Sequence, residues 1–215
     1  MILVFPILLG IAIGWLRRGS LRNLADLPIR YAWVPLAAVA VQAGFVAFAP
    51  AGSTSAAWQR PLLLAGTYTV MLAFLFTNFR IPGTRLLFVG ALLNLVVMLA
   101  NGGYMPVTPE ALVRSGHEGE VIARDGSLFV RGSKDIVLDA EDTRLGFLSD
   151  VVGIPEALPF SATFSLGDVF IGIGASVLIS RGMRLGQGIR DRESGIPAKE
   201  AALRLRRSAA HLRRG

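Results

Sequence analysis

The amino-acid sequence predicts an all-α membrane protein. The expected form is a five-transmembrane-helix bundle, N-terminus outside and C-terminus cytoplasmic, with a small outer cap between helices 4 and 5. Three observations predict it. The chain is 53% hydrophobic and 17% charged over 215 residues, too apolar for an ordinary soluble domain of that size. Its apolar residues gather in blocks near the length a helix needs to cross a bilayer core, roughly 20 residues. Its Lys and Arg divide unequally about those blocks, sixteen on one side and six on the other if all five cross. The positive-inside rule makes the richer side cytoplasmic.

The first span, about 1–16, ends at Arg17-Arg18. A cleaved signal would carry its charge before the apolar stretch, so this segment reads as a retained helix whose arginines snorkel to extend its reach. The second span covers about 31–50, the third 61–78, the fourth 86–101 and the fifth 166–185. Pro50-Ala51-Gly52, Pro82-Gly83 and the polar stretch after Gly102-Gly103 separate them. Between Arg18 and the second span, Leu21, Leu24 and Leu27 recur at three-residue steps, the pattern of a short interfacial helix. The bundle with its cap therefore occupies 1–185, and a basic cytoplasmic tail occupies 186–215.

The cap, 102–164, holds ten acids and five bases. Asp125-Gly126 between Val121-Ile122-Ala123 and Leu128-Phe129-Val130 signals a β-hairpin. Leu145, Phe147, Leu148, Val151 and Val152 form an apolar cluster that reads as a short surface helix. In the tail, Ala201, Leu205, Ala209 and Leu212 share one helical stripe, which suits either a helix lying on anionic lipid or a disordered topology signal.

Gly10 and Gly14 in the first span, and Gly172 with Ser176 in the fifth, have the four-residue spacing that lets membrane helices approach closely. Arg17, Arg18, Arg181 and Arg184 are candidate contacts for lipid headgroups, anionic ones on the inner face. Polar side chains within the spans are few, and Gln42 and Asn94 read as interhelical hydrogen-bonding groups. No ionisable group lies deep in any span, where a pump or proton-coupled carrier needs one.

Cysteine is absent, which excludes disulfides, thiolate metal sites and cysteine nucleophiles. His117 with Glu118 and Glu120 lacks the spacing of a helical zinc motif, and Asp139, Glu141 and Asp142 lack the glycine and alternation of an EF-hand. No metal, no cofactor and no nucleic-acid partner is expected. The most pointed constellation lies where the cap joins the helices. Asn101, Tyr104, Asp150 and Asp168 are candidate ligand-binding residues at the outer mouth of the bundle, while Ser165 and Asp168 have the spacing of a helix capping box. Capping accounts for that pair without a ligand.

Asn101-Gly102-Gly103-Tyr104-Met105-Pro106-Val107, the Thr143–Asp150 stretch and Phe164-Ser165-Leu166-Gly167-Asp168 carry a resemblance. The chain, to about Leu185, resembles an uncharacterised family of bacterial multi-pass membrane proteins, classified only as a domain of unknown function. The resemblance implies a bacterial inner-membrane location and supplies no activity, ligand or catalytic residue. The expected function is that of a non-catalytic accessory or scaffolding subunit of a membrane complex, in contact with lipids and with other subunits. The alternatives are a small carrier or ligand-binding protein with its site at the outer mouth, and a lipid-acting membrane enzyme using Asp168 and Asp150.

Overall fold

The computed structural model describes residues 4–48, 59–124, 126–131, 135–155 and 162–193. The basic stretch from residue 194, Pro50 with its neighbours, and Asp125 lie outside them. Long apolar stretches without internal proline form helices α1 (Val4–Leu16, with Pro6 in its first turn), α3 (Gln59–Thr77) and α4 (Thr84–Ala100). Helix α2 (Trp33–Phe48) likewise admits Pro35 only near its start. A 3-10 turn, Leu21–Asp26, follows α1.

Past α4 the chain enters a cap of short elements. Strand β1 (Met105–Val107) leads to helix α5 (Pro109–Ser115), β2 (Val121–Arg124), β3 (Ser127–Val130) and β4 (Asp135–Val137). Then come β5 (Val152–Ile154), β6 (Ala162–Phe164) and the long helix α6 (Leu166–Glu193). The first four strands make one sheet in the order β1-β4-β3-β2, parallel only between β1 and β4, and β5 pairs antiparallel with β6. On either side of the Asp-Gly signal β2 and β3 pair antiparallel, Arg124 with Ser127, and Gly126 has φ 78°.

Two findings correct the expected fold. First, the chain is not all-α, since the segment between α4 and α6 holds two sheets. Second, five membrane-spanning helices are not present among the described residues. Only Leu166–Leu185 within α6 is long and apolar enough to cross a membrane. The 13 residues of α1 rise about 20 Å and the 17 of α4 about 26 Å, short of a hydrocarbon core of about 30 Å. The apolar parts of the other two, Trp33–Gly44 and Pro61–Thr77, are also too short. The multi-pass topology and the orientation deduced from it fall together. The cluster around Phe147 is corrected too: it forms a 3-10 turn, Gly146–Leu148, followed by β5 rather than a surface helix.

The helical layer is organised by α6, which packs on α4, α1 and the Leu21–Asp26 turn, while α3 packs on α4 and α2 on α3. Leu64, Val97, Met98, Met105 and Leu148 form a core at the junction of α3, α4 and the cap. A second core, Val107, Ala111, Leu112 and Val130, lies inside the cap. The cap therefore has an apolar interior of its own and is also bolted to the helices by Met105 and Leu148.

Candidate functional site

Two helices approach closely on the way into the candidate site. Gly83 sits against the carbonyl of Gly174, and Gly90 against the carbonyl of Gly167. These contacts make α4 and α6 antiparallel, with Gly90 in α4 and Gly83 at its N-cap facing Gly167 and Gly174 of α6, seven residues apart on each side. A Cβ at any of the four would meet backbone or buried side-chain atoms. On the other flank of α6 the pairing is parallel. Pro6 faces Gly172, Gly10 faces Ser176 and Gly14 faces Met183, and the Ser176 hydroxyl donates to the Pro6 carbonyl at 2.7 Å.

The close approach at Gly167 seats the Asn94 side chain directly against the first turn of α6. There Asn94 Nδ2 donates to Asp168 Oδ1 at 2.9 Å. The other carboxylate oxygen accepts from the Ser165 amide at 3.1 Å and the Ser165 hydroxyl at 2.9 Å. Ser165 Oγ in turn accepts from the Asp168 amide at 3.1 Å and lies 3.1 Å from Asn94 Oδ1. Ser165 and Asp168 thus form a reciprocal capping box, extended across the helix interface by Asn94. A carboxylate in the first turn also complements the helix dipole. Asn94 and Ser165 are buried and Asp168 is half-buried, so the network substitutes for water in an apolar layer.

Asn101 does comparable work at the other side of the junction. Its amide nitrogen donates to the carbonyls of Val97 at 2.8 Å and Arg144 at 2.9 Å, and its Oδ1 accepts from the Arg144 amide at 3.1 Å. The side chain therefore ends α4 and pins the cap segment beside it. The Asn101 and Asp168 networks share no residue. Tyr104, just before β1, packs its ring against Phe129 of β3, with centroids 5.2 Å apart. Asp150 is buried and its amide donates to the Pro106 carbonyl at 3.0 Å, extending β1 by one parallel bridge at Val107.

The opposite end of the helical layer gathers the candidate headgroup residues. The amide of Ser20 and the side chain of Asn23 both donate to the Met183 carbonyl, at 2.9 and 2.7 Å, and Gly19 abuts Met183. That joins the segment bearing Arg17 and Arg18 to the one bearing Arg181 and Arg184, and all four arginines are exposed. Trp15, Tyr31 and Trp33, before Arg17 and after Arg30 in the chain, are exposed as well. Asn78 closes the same end by bonding the amide of Arg30 at 2.9 Å and its carbonyl at 3.1 Å.

Sequence reasoning missed the seam of Gly83, Gly90, Gly167 and Gly174, whose signal is a seven-residue glycine repeat in two helices. It also missed Asn23, Asn78 and Arg144, each bonded to a residue distant in the chain, which leaves no local pattern. Among the described residues no group of three or more His, Asp or Glu is placed to hold a metal ion.

No curated protein and no solved structure matches the chain. A family model, described as "Family of unknown function (DUF5317)", matches residues 26–180. That match takes in α2 through most of α6, with the cap and both polar networks, and the chain therefore belongs to this family of unknown function.

Proposed function

We propose that this protein is a non-catalytic scaffold held in the cell membrane, with its helical layer in contact with lipid and its cap presented to partner subunits. One observation carries the reading. Where α6 meets α1 and α4, glycines and small polar groups face one another, while many large apolar side chains of the layer stand outward. Phe5 is 56% exposed, Leu36 74%, Leu62 65%, Phe76 64% and Ile173 50%. Only 39% of the apolar window of α6 is buried, although α6 packs between α1 and α4. Apolar surface on this scale, spread over α1, α2, α3 and α6, calls for lipid or a partner rather than water. The arginines and aromatic rings at one end of the layer have the composition of a membrane interface. α6 is the helix assigned to cross.

The polar groups support the scaffold role over a carrier. A carrier site at the cap junction needs Asn101 and Asp168 available to a ligand, whereas both carboxylate oxygens and all amide groups of these side chains are engaged internally. Isolation from native membranes in mild detergent, with crosslinkers placed on the cap, tests the proposal. A stoichiometric partner crosslinked through the cap is expected. A lone, monodisperse monomer would overturn the scaffold reading.

A further inference from the structure

The cap carries a second apolar feature that packing does not absorb. Leu145 has φ 57°, a left-handed conformation that a residue of its kind rarely adopts. The turn it opens, Gly146–Leu148, buries Leu148 in the core between cap and helices and leaves Phe147 72% exposed. Leu145, Val151 and Val152 on either side are 38–42% exposed. The segment does not wander: Asn101 bonds both backbone groups of Arg144, and the Thr143 hydroxyl donates to the Asp139 carbonyl at 2.9 Å. A strained, firmly held turn that displays a phenylalanine points to a contact made outside the chain.

From this we propose that the Leu145–Val152 segment inserts into the headgroup boundary of the bilayer on the cap side, with Phe147 as the inserted ring. The proposal rests on the membrane reading above and adds a second lipid contact beside the helices. Depth and apolar surface name lipid as the occupant. The apolar window of α6 begins at Leu166, and its 20 residues match a hydrocarbon core of about 30 Å, so Leu166 marks the boundary on the cap side. The Gly146–Leu148 turn touches both α4 and α6, and the Arg144 bonds to Asn101 and Ala100 fix it at the end of α4, level with that boundary. At the cap-side ends of the two helices this turn touches, Leu99 on α4 and Leu166 and Val169 on α6 are 39–43% exposed, so apolar surface is present on both the cap and the helices at that level. Exposed Arg144 stands beside Leu145, where its guanidinium reaches a headgroup phosphate while the neighbouring side chains enter the acyl region.

The chain contains no cysteine, so single-cysteine variants report one position each. Phe147→Cys is labelled with an environment-sensitive nitrobenzoxadiazole dye. The labelled full-length protein is then placed in phosphatidylethanolamine–phosphatidylglycerol vesicles bearing a spin label near the top of the acyl chain. Ile173→Cys on the outward face of α6 serves as the membrane control. Glu118→Cys, beside the β2 edge of the sheet and farthest from β1, serves as the aqueous control. Position 147 should be quenched by the spin-labelled lipid at least about twofold more than position 118, and be correspondingly shielded from aqueous iodide. Lipid quenching at 173 with iodide quenching at 147 equal to that at 118 would overturn the insertion and leave the membrane reading standing. Shielding of 147 from both quenchers would also overturn it, and would identify a protein surface, such as a second copy, as the occupant. Absence of lipid quenching at 173 would remove the membrane reading and this proposal with it.

Discussion

Asp168 shows how little of a polar residue's role is decided by its type. A carboxylate at the start of an apolar helix suits a ligand site, a proton acceptor or a cap, and its neighbours select among them. Here Ser165 and Asn94 occupy both oxygens. Replacing Asn94 with Leu removes a donor to the carboxylate within a tightly packed interface. A loss of about 1–3 kcal/mol is expected, read as a lower midpoint of thermal or denaturant unfolding in detergent. The half-buried bond from Gln42 Nε2 to Thr67 Oγ1, 2.9 Å, joins α2 to α3, and Gln42→Leu should cost less, about 1 kcal/mol or under. Equal losses from the two variants would refute this account of the Asn94 network. Asn101 has a different signature, because it holds backbone rather than a side chain. In Asn101→Ala the Arg144 amide loses its acceptor, so hydrogen exchange should accelerate there while the amides of Val97 and Met98 inside α4 keep their protection. The capping box was legible in the spacing of Ser165 and Asp168. Asn94 was legible only as an interhelical donor of unknown partner, since its acceptor lies 74 residues away.

At the scale of elements, the seam between α4 and α6 makes the sharpest demand on sequence. Gly90→Ala adds a methyl where the Gly167 carbonyl already sits, and should destabilise by about 1–3 kcal/mol even though alanine is the better helix former. Gly66, inside α3, has open space around its Cβ direction, so Gly66→Ala should be neutral or stabilise by up to about 1 kcal/mol. Opposite signs in paired thermal melts check both claims, and a stabilised Gly90→Ala would contradict the seam. Local chemistry made several elements readable in advance. Gly126 at positive φ closes the hairpin that its Asp-Gly signal announced. Helix α5 carried equally clear marks that went unread. Thr108 caps it by accepting from the Ala111 amide, Pro109 opens it, and Gly116 at φ 70° ends it. Strands of three residues are too short to display an alternating pattern, so β1, β4, β5 and β6 left no periodic trace.

The molecule as a whole divides into an apolar helical layer with an arginine-rich end and an acidic cap with its own core. Those two features predict how it partitions. If the outward faces of α1, α2, α3 and α6 contact lipid, the protein should stay with the membrane pellet after alkaline carbonate extraction, and recovery in the supernatant would argue that a protein covers them instead. By itself the sequence determined where the apolar helices lie, the unequal distribution of basic residues and the hairpin of the cap, because each depends on residues near one another in the chain. Spanning length was misjudged for a different reason. The apolar blocks at 61–78 and 86–101 match helices α3 and α4 closely, but those helices hold only 19 and 17 residues, too few apolar ones to cross a core of about 30 Å. Only the tertiary structure decided that one helix reaches spanning length among the described residues, that the cap is built on two sheets, and that Asn101 and Asp168 bond within the chain. Those outcomes depend on pairings such as Met105 with Asp135, Asn101 with Arg144 and Gly90 with Gly167, which distance in the sequence conceals and close packing alone selects.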